Sequence, residues 1–189
     1  MKKILVFASG EGSNFEAIVH YFKDKNVQVE LLCDKKYAKV LKRAKNLGIS
    51  SHFVEFENTY EFLKNNKFDL YVLAGYMRIL PQEVLNLGTF VNIHPSLLPK
   101  FKGKNAIKRA FLSGEKETGV SIHYVVKEVD SGEIIAQQKC KIEPFMTLFE
   151  LEEKIHKMEH KLYPKVIEEL LWKYCCSVQA QENMRCMKH

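Results

Sequence analysis

The stretch ILVFASGEGSNFEAIVHYFKDK, residues 4–25, decides the fold. An apolar run at 4–8 leads into a loop with glycine at 10 and 12, and an amphipathic segment follows from 14 to 25. The run is apolar on both faces, so it reads as a strand covered from both sides, and the segment after it reads as a helix. The same alternation recurs downstream. Residues 27–33, 69–74 and 90–93 read as strands, and 37–47 and 59–66 as helices. Doubly apolar strands separated by helices predict a mostly parallel sheet of the Rossmann-like, doubly wound α/β kind, with ligands at the carboxyl ends of its strands. After Thr118 the pattern changes: 119–126 and 133–142 are strand-like runs joined by the turn-forming segment 127–132, as in an antiparallel β-ribbon. A long helix is predicted over 148–174, and the polar tail 177–189 has no clear period.

A chain of 189 residues, 46% hydrophobic and 28% charged, fits one globular domain, divided here into a phosphate-binding half (1–90), a catalytic half (91–175) and a tail (176–189). The net charge of +6 favours acidic ligands without choosing among them. Its lysines are spread along the chain, so a dedicated nucleic-acid face is not expected. No segment approaches the ~20 apolar residues of a membrane span, and the apolar run at 4–8 is too short for a signal peptide. Cys33, Cys140, Cys175, Cys176 and Cys186 form neither a CxxC pair nor a disulfide framework, and read as the reduced thiols of a cytoplasmic protein. No metal site is expected.

Two segments carry candidate chemistry. In SGEGSN, residues 9–14, glycine allows a sharp turn and a close backbone approach, while Ser13 and Asn14 stand at a helix start. Such a loop holds a phosphate on main-chain N–H groups and the helix dipole, or is simply a tight turn before a capped helix. It is neither the GxGxxG fingerprint nor a lysine-bearing P-loop, which argues against a dinucleotide or a nucleoside triphosphate. In VNIHPSLLPKFKG, residues 91–103, strand alternation puts Asn92 and His94 on one face, and Pro95 ends the ladder at the strand's carboxyl end. An amide beside an imidazole suits acyl transfer, the amide meeting an oxyanion and the imidazole moving a proton, although a lone histidine at a strand end also serves structural roles. Asp130, before Ser131 and Gly132, reads by itself as a turn residue.

The string NIHPSLLP resembles the signature of the folate-dependent formyltransferases. That resemblance implies that Asn92 and His94 are catalytic. It promotes Asp130, in the loop KEVDSG after TGVSIHYVV, to the third member of the set. SGEGSN is similar to the phosphate loop of the branch that acts on glycinamide ribonucleotide, which assigns Gly12, Ser13 and Asn14 to the substrate phosphate. LAGYMRIL matches the family's next motif, so Met77, Arg78, Ile79 and Leu80, with Asn92, are expected to line the folate pocket. MEHKLYP nominates Glu159 for the substrate ribose. The likeness spans about residues 3–170. The chain departs from the family's pattern at Lys102, where proline is usual, and at Asn105, near a position often held by histidine.

The implied reaction takes the formyl group of 10-formyltetrahydrofolate, a co-substrate, to the amine of glycinamide ribonucleotide, giving formylglycinamide ribonucleotide in purine (IMP) synthesis. Partners would then be small molecules, with no nucleic acid and no membrane, and the chain a monomer or homodimer. Formyltransferases acting on methionyl-tRNA or sugar nucleotides, and a formyltetrahydrofolate hydrolase, share the histidine strand. The first and last are expected to carry an additional domain, for which this chain leaves little room. Asp130 is expected to raise the pKa of His94.

Overall fold

A computed structural model describes residues 1–186. Among them are β1 (Lys2–Phe7), β2 (Val27–Cys33), β3 (Ser51–Phe53), β4 (Leu70–Leu73), β5 (Phe90–His94), β6 (Glu117–Tyr124) and β7 (Ile134–Lys141). The helices are α1 (Ser13–Phe22), α2 (Lys39–Asn46), α3 (Thr59–Asn65), α4 (Gln82–Leu85), α5 (Ala106–Leu112) and α6 (Leu148–Cys186). All the strands join one sheet in the order β3-β2-β1-β4-β5-β6-β7. Strands β1 to β5 pair in parallel, and β6 and β7 are antiparallel to their neighbours. The chain begins mid-sheet, winds out to β3 and returns to lay β4 against the other side of β1. That reversal opens a crevice at the carboxyl ends of β1 and β4.

The alternation in β1 shows why it is covered twice. Ile4, Val6 and Ala8 enter a core shared with α1 and α6, and Leu5 and Phe7 enter a second core with Leu63 of α3 and Val84 of α4. All five β1-side residues are fully buried, each side chain of valine size or larger stabilising the fold by about 1.5–3 kcal/mol. A polar substitution between Ile4 and Ala8 therefore has no solvent-facing side to turn to.

The doubly wound half, the β-ribbon and the long final helix match the sequence expectation. Three short elements, β3, α4 and α5, were not foreseen. The final helix also runs to Cys186 rather than ending near residue 174. Residues 177–186 contain no glycine or proline and several strong helix formers, so propensity extends the helix without the apolar period on which the expectation rested. The last residues, 187–189, lie outside the described residues. Cys33 and Cys140 are free and buried; the side chains of Cys175, Cys176 and Cys186 lie outside the description. Among the described residues no helix is long and apolar enough to cross a membrane.

Candidate active site

The carboxyl ends of β1, β4 and β5 open into a cavity of about 520 Å³, a size typical of small-molecule sites. Its first wall is the loop after β1. Gly12 has φ 78°, and a Cβ there would sit 2.4 Å from Val40 Cγ2, so only glycine fits. Gly12 is also the N-cap of α1, and no side chain caps that helix. The capped-helix reading of the loop is thus corrected: a left-handed glycine cannot offer a capping oxygen, and Ser13 already lies inside the helix. Gly12, Ser13 and Asn14 line the cavity, so the amino end of α1 borders it, an arrangement suited to an anion. Asn14 turns its Nδ2 to Glu159 Oε2 at 3.1 Å, while its own Oδ1 is buried with no partner among the described residues.

Glu159 comes from α6 and is only 4% exposed. Its Oε2 also lies 3.2 Å from Nδ1 of His156, one turn earlier. The hydrogen bond His156 donates to Glu159 raises its pKa against the opposing effect of burial. Sequence spacing alone, at i and i+3 on one helix, could have found this pair.

The second wall is the loop after β4. Ser9 Oγ donates to Asp34 Oδ1 at 2.6 Å and accepts the Met77 N–H at 3.1 Å. Arg78 Nε donates to Asp34 Oδ2 at 2.9 Å. These contacts pin the loop to the ends of β1 and β2. Met77 and Ile79 are left 56% and 66% exposed over the cavity, with Leu80 buried beneath. Exposed apolar side chains beside a cavity suit a flat organic ligand. Burial pushes the Tyr76 hydroxyl in the same loop up to about 12, with the Asp34 charge adding to it.

The third wall carries Asn92 and His94. The antiparallel register sets Asn92 opposite His123 and His94 opposite Ser121, so polar residues of β6 face polar residues of β5. Asp130, with φ 51°, turns its carboxylate inward until the side chain is 8% exposed. Its Oδ1 accepts from Asn92 Nδ2 at 3.4 Å and faces His123 Nε2 at the same distance. Its Oδ2 accepts the Gly103 N–H at 2.8 Å and lies 3.2 Å from His94 Nδ1. Burial pushes this carboxyl up, but His123, the Gly103 amide and the charge of His94 together bring it down to about 2. Asp130 is therefore an anion at any ordinary pH.

His94 Nε2 lies 2.9 Å from the Phe101 carbonyl. A carbonyl only accepts, so that nitrogen carries a proton. The expected upward shift of the His94 pKa is corrected: burial lowers it, outweighing the upward pull of Asp130 and of the Phe101 carbonyl, with His123 and Arg109 lowering it further. A chain read as a string contains no measure of burial depth, which decides this sign.

All the residues nominated from sequence line the one cavity: Gly12, Ser13 and Asn14; Met77, Arg78, Ile79 and Leu80; Asn92, His94, Asp130 and Glu159. His123 was missed, although it is 1% exposed and joined to Asn92 Nδ2 at 3.2 Å. The signal available was Ser121 and His123 alternating with Val120 and Ile122 in a strand that is otherwise apolar. His123 Nδ1 bonds the Tyr124 carbonyl at 2.8 Å, which fixes the ring.

Residues 2–167 match the family model described as formyl transferase. The chain belongs to that formyl transferase family. It is 45% identical over 186 residues to phosphoribosylglycinamide formyltransferase of Bacillus subtilis, covering 90% of this chain and 95% of the relative. The Haemophilus influenzae protein of the same name is 37% identical, covering 89% of this chain and 86% of that one. The crystal structure of phosphoribosylglycinamide formyltransferase from Bacillus halodurans superposes with a TM-score of 0.84 at 40% identity, over 90% of this chain and 95% of that one. This formyl transferase thus shares its fold with a solved relative.

Proposed function

We propose that this formyl transferase moves the formyl group of 10-formyltetrahydrofolate to the amine of glycinamide ribonucleotide, producing formylglycinamide ribonucleotide and tetrahydrofolate in cytoplasmic purine synthesis. One observation carries the reading beyond the names of its relatives: an amide, an imidazole and an ionised carboxylate converge beside an uncapped helix N-terminus. The substrate phosphate meets the N–H groups of Gly12, Ser13 and Asn14. Glu159 accepts from the ribose hydroxyls; a carboxylate has about four lone-pair sites, so its contacts to Asn14 and His156 leave capacity. Folate lies along Met77, Arg78, Ile79 and Leu80.

The amine nitrogen attacks the formyl carbon, the C=O pair moves to oxygen, and the nitrogen becomes positive. Asn92 Nδ2–H and His94 Nε2–H meet the oxyanion. For His94 this exchanges a neutral carbonyl acceptor, Phe101, for a charged one, and charge-assisted hydrogen bonds are roughly twice as strong. The Asp130 carboxylate faces His94 Nδ1 and orients the ring, and the proton shed by the attacking nitrogen passes to a water held beside that carboxylate. Collapse of the intermediate breaks the bond from carbon to folate N10, which takes up that proton.

The decisive assay mixes purified protein with 10-formyltetrahydrofolate and glycinamide ribonucleotide and follows formation of tetrahydrofolate. Turnover with that acceptor, and none with charged tRNA, an amino-sugar nucleotide or water, is the expected result. Turnover that needs one of the other acceptors instead overturns the assignment.

A further inference from the structure

The loop between β5 and α5 approaches the catalytic side chains from above and touches both members of the acid–base pair. The Phe101 carbonyl accepts from His94 Nε2, and the Gly103 N–H donates to Asp130 Oδ2. Its backbone is costly to hold, since Phe101 (φ 58°), Gly103 (φ 79°) and Asn105 (φ 56°) are left-handed at alternate positions and two of them carry side chains. One residue gathers the loop. Arg109 on α5 donates from Nη2 to the carbonyls of Phe101 at 2.8 Å, Lys102 and Gly103 at 3.4 Å, and from Nε to the Lys104 carbonyl at 3.1 Å. Its guanidinium carbon also lies 5.9 Å from the centre of the Phe101 ring.

We propose that Arg109 is a positioning residue for catalysis: by holding four successive carbonyls of the 101–104 loop, it fixes the Phe101 carbonyl that holds a proton on His94 Nε2 against the pull of Asp130 on Nδ1. The inference rests on the formyl-transfer reading above and deepens it. Phe101 O is shared by His94 and Arg109. When His94 turns its N–H to the oxyanion, Arg109 keeps that carbonyl hydrogen-bonded, so no acceptor is stranded at the step that needs the donor. A fork of several N–H groups is required to span the loop, and a lysine ammonium has no such planar array. Arg109 itself is exposed and touches neither reacting group.

The test compares wild type with Arg109→Ala, Arg109→Lys and Arg109→Gln, measuring kcat and the KM of both substrates and recording the tautomer of His94 by 15N NMR. In Arg109→Ala, kcat falls about 10- to 100-fold, as for a small displacement of a catalytic group, with each KM within about threefold. The His94 signal moves from the Nε2–H form to a mixture, free guanidinium restores part of the rate, and Arg109→Lys stays impaired. A folded Arg109→Ala with wild-type kcat overturns the inference, as does a variant slowed only through KM with the His94 tautomer unchanged. A wild-type enzyme that fails to turn over indicts the functional reading instead, and the NMR comparison still decides whether Arg109 sets the imidazole.

Discussion

Replacing Asp130 by asparagine keeps the shape of the side chain and removes its charge, and both stability and rate should register the loss. Two carboxylate oxygens serve Asn92, Gly103, His94 and His123, whereas an amide has one acceptor oxygen and sets its NH2 against donors or a ring edge. A carboxyl brought down from 3.8 to about 2 favours the folded state by roughly 2 kcal/mol when ionised, at about 1.4 kcal/mol per pK unit. The depressed value fixes the sign. This stability is present in full above pH ~4 and is lost as pH falls through about 2, because the unfolded chain then binds the proton first. Urea unfolding at pH 7 is expected to show Asp130→Asn less stable by about 2 kcal/mol, with the gap shrinking between pH 4 and pH 2. In the formyl-transfer assay the same variant should lose ~10²- to 10³-fold in kcat, comparable to removal of an oxyanion donor. Equal stability at pH 7 and pH 3, or a kcat within threefold of wild type, refutes the account of Asp130 as a shared anion.

Three other perturbations bear on separate walls of the cavity. Gly12→Ala introduces a left-handed alanine, a cost of about 1–2 kcal/mol, and drives a methyl group into Val40; KM for the phosphorylated substrate should rise more than tenfold while KM for folate holds. Steady-state kinetics with each substrate varied in turn decides it. His123→Phe removes a partner of both Asn92 and Asp130, and is expected to lower kcat at least tenfold while raising the Asp130 pKa, which 13C NMR of the carboxyl can read. His156 is raised by Glu159, so its contact contributes stability in full below the ordinary value of 6.5 and loses it as pH climbs through the raised one. Melting curves of wild type and His156→Gln should therefore diverge most at pH 6 and converge by pH 9; a constant difference removes the titration from the account.

Period and punctuation carried most of the architecture. Strand β1 from Ile4 onward and strand β4 are buried on both faces, so their apolar runs are unbroken and easy to read, and α1 and α2 carry a helical period of their own. What escaped notice was short or depended on pairing. Strand β3 is three residues at a sheet edge, too few to alternate, and α5 begins at a left-handed Asn105 that no propensity announces. Asn92 and His94 could be placed because a two-residue spacing in one strand fixes a common face. His123 could not, because its meeting with Asn92 is a matter of register between β5 and β6. Asp130 looked like an ordinary turn residue, and in backbone terms it is one; its inward aim follows from a left-handed φ and from a loop 27 positions upstream offering the Gly103 amide. Nothing in the sequence marks Arg109, and only the convergence of carbonyls upon it gives it a task.

The contact between Asn14 and Glu159 joins positions 145 apart, one on the first helix and the other on the last. A nucleotide seated between them would therefore act as a clasp on the whole chain, fastening its opening turn to its closing helix. Bound substrate should accordingly protect α6 from protease and retard global unfolding, since whatever binds the native state alone adds RT ln(1 + [L]/Kd) to its stability. Occupancy and integrity are thereby linked: a variant that loosens the docking of α6 weakens its hold on the substrate.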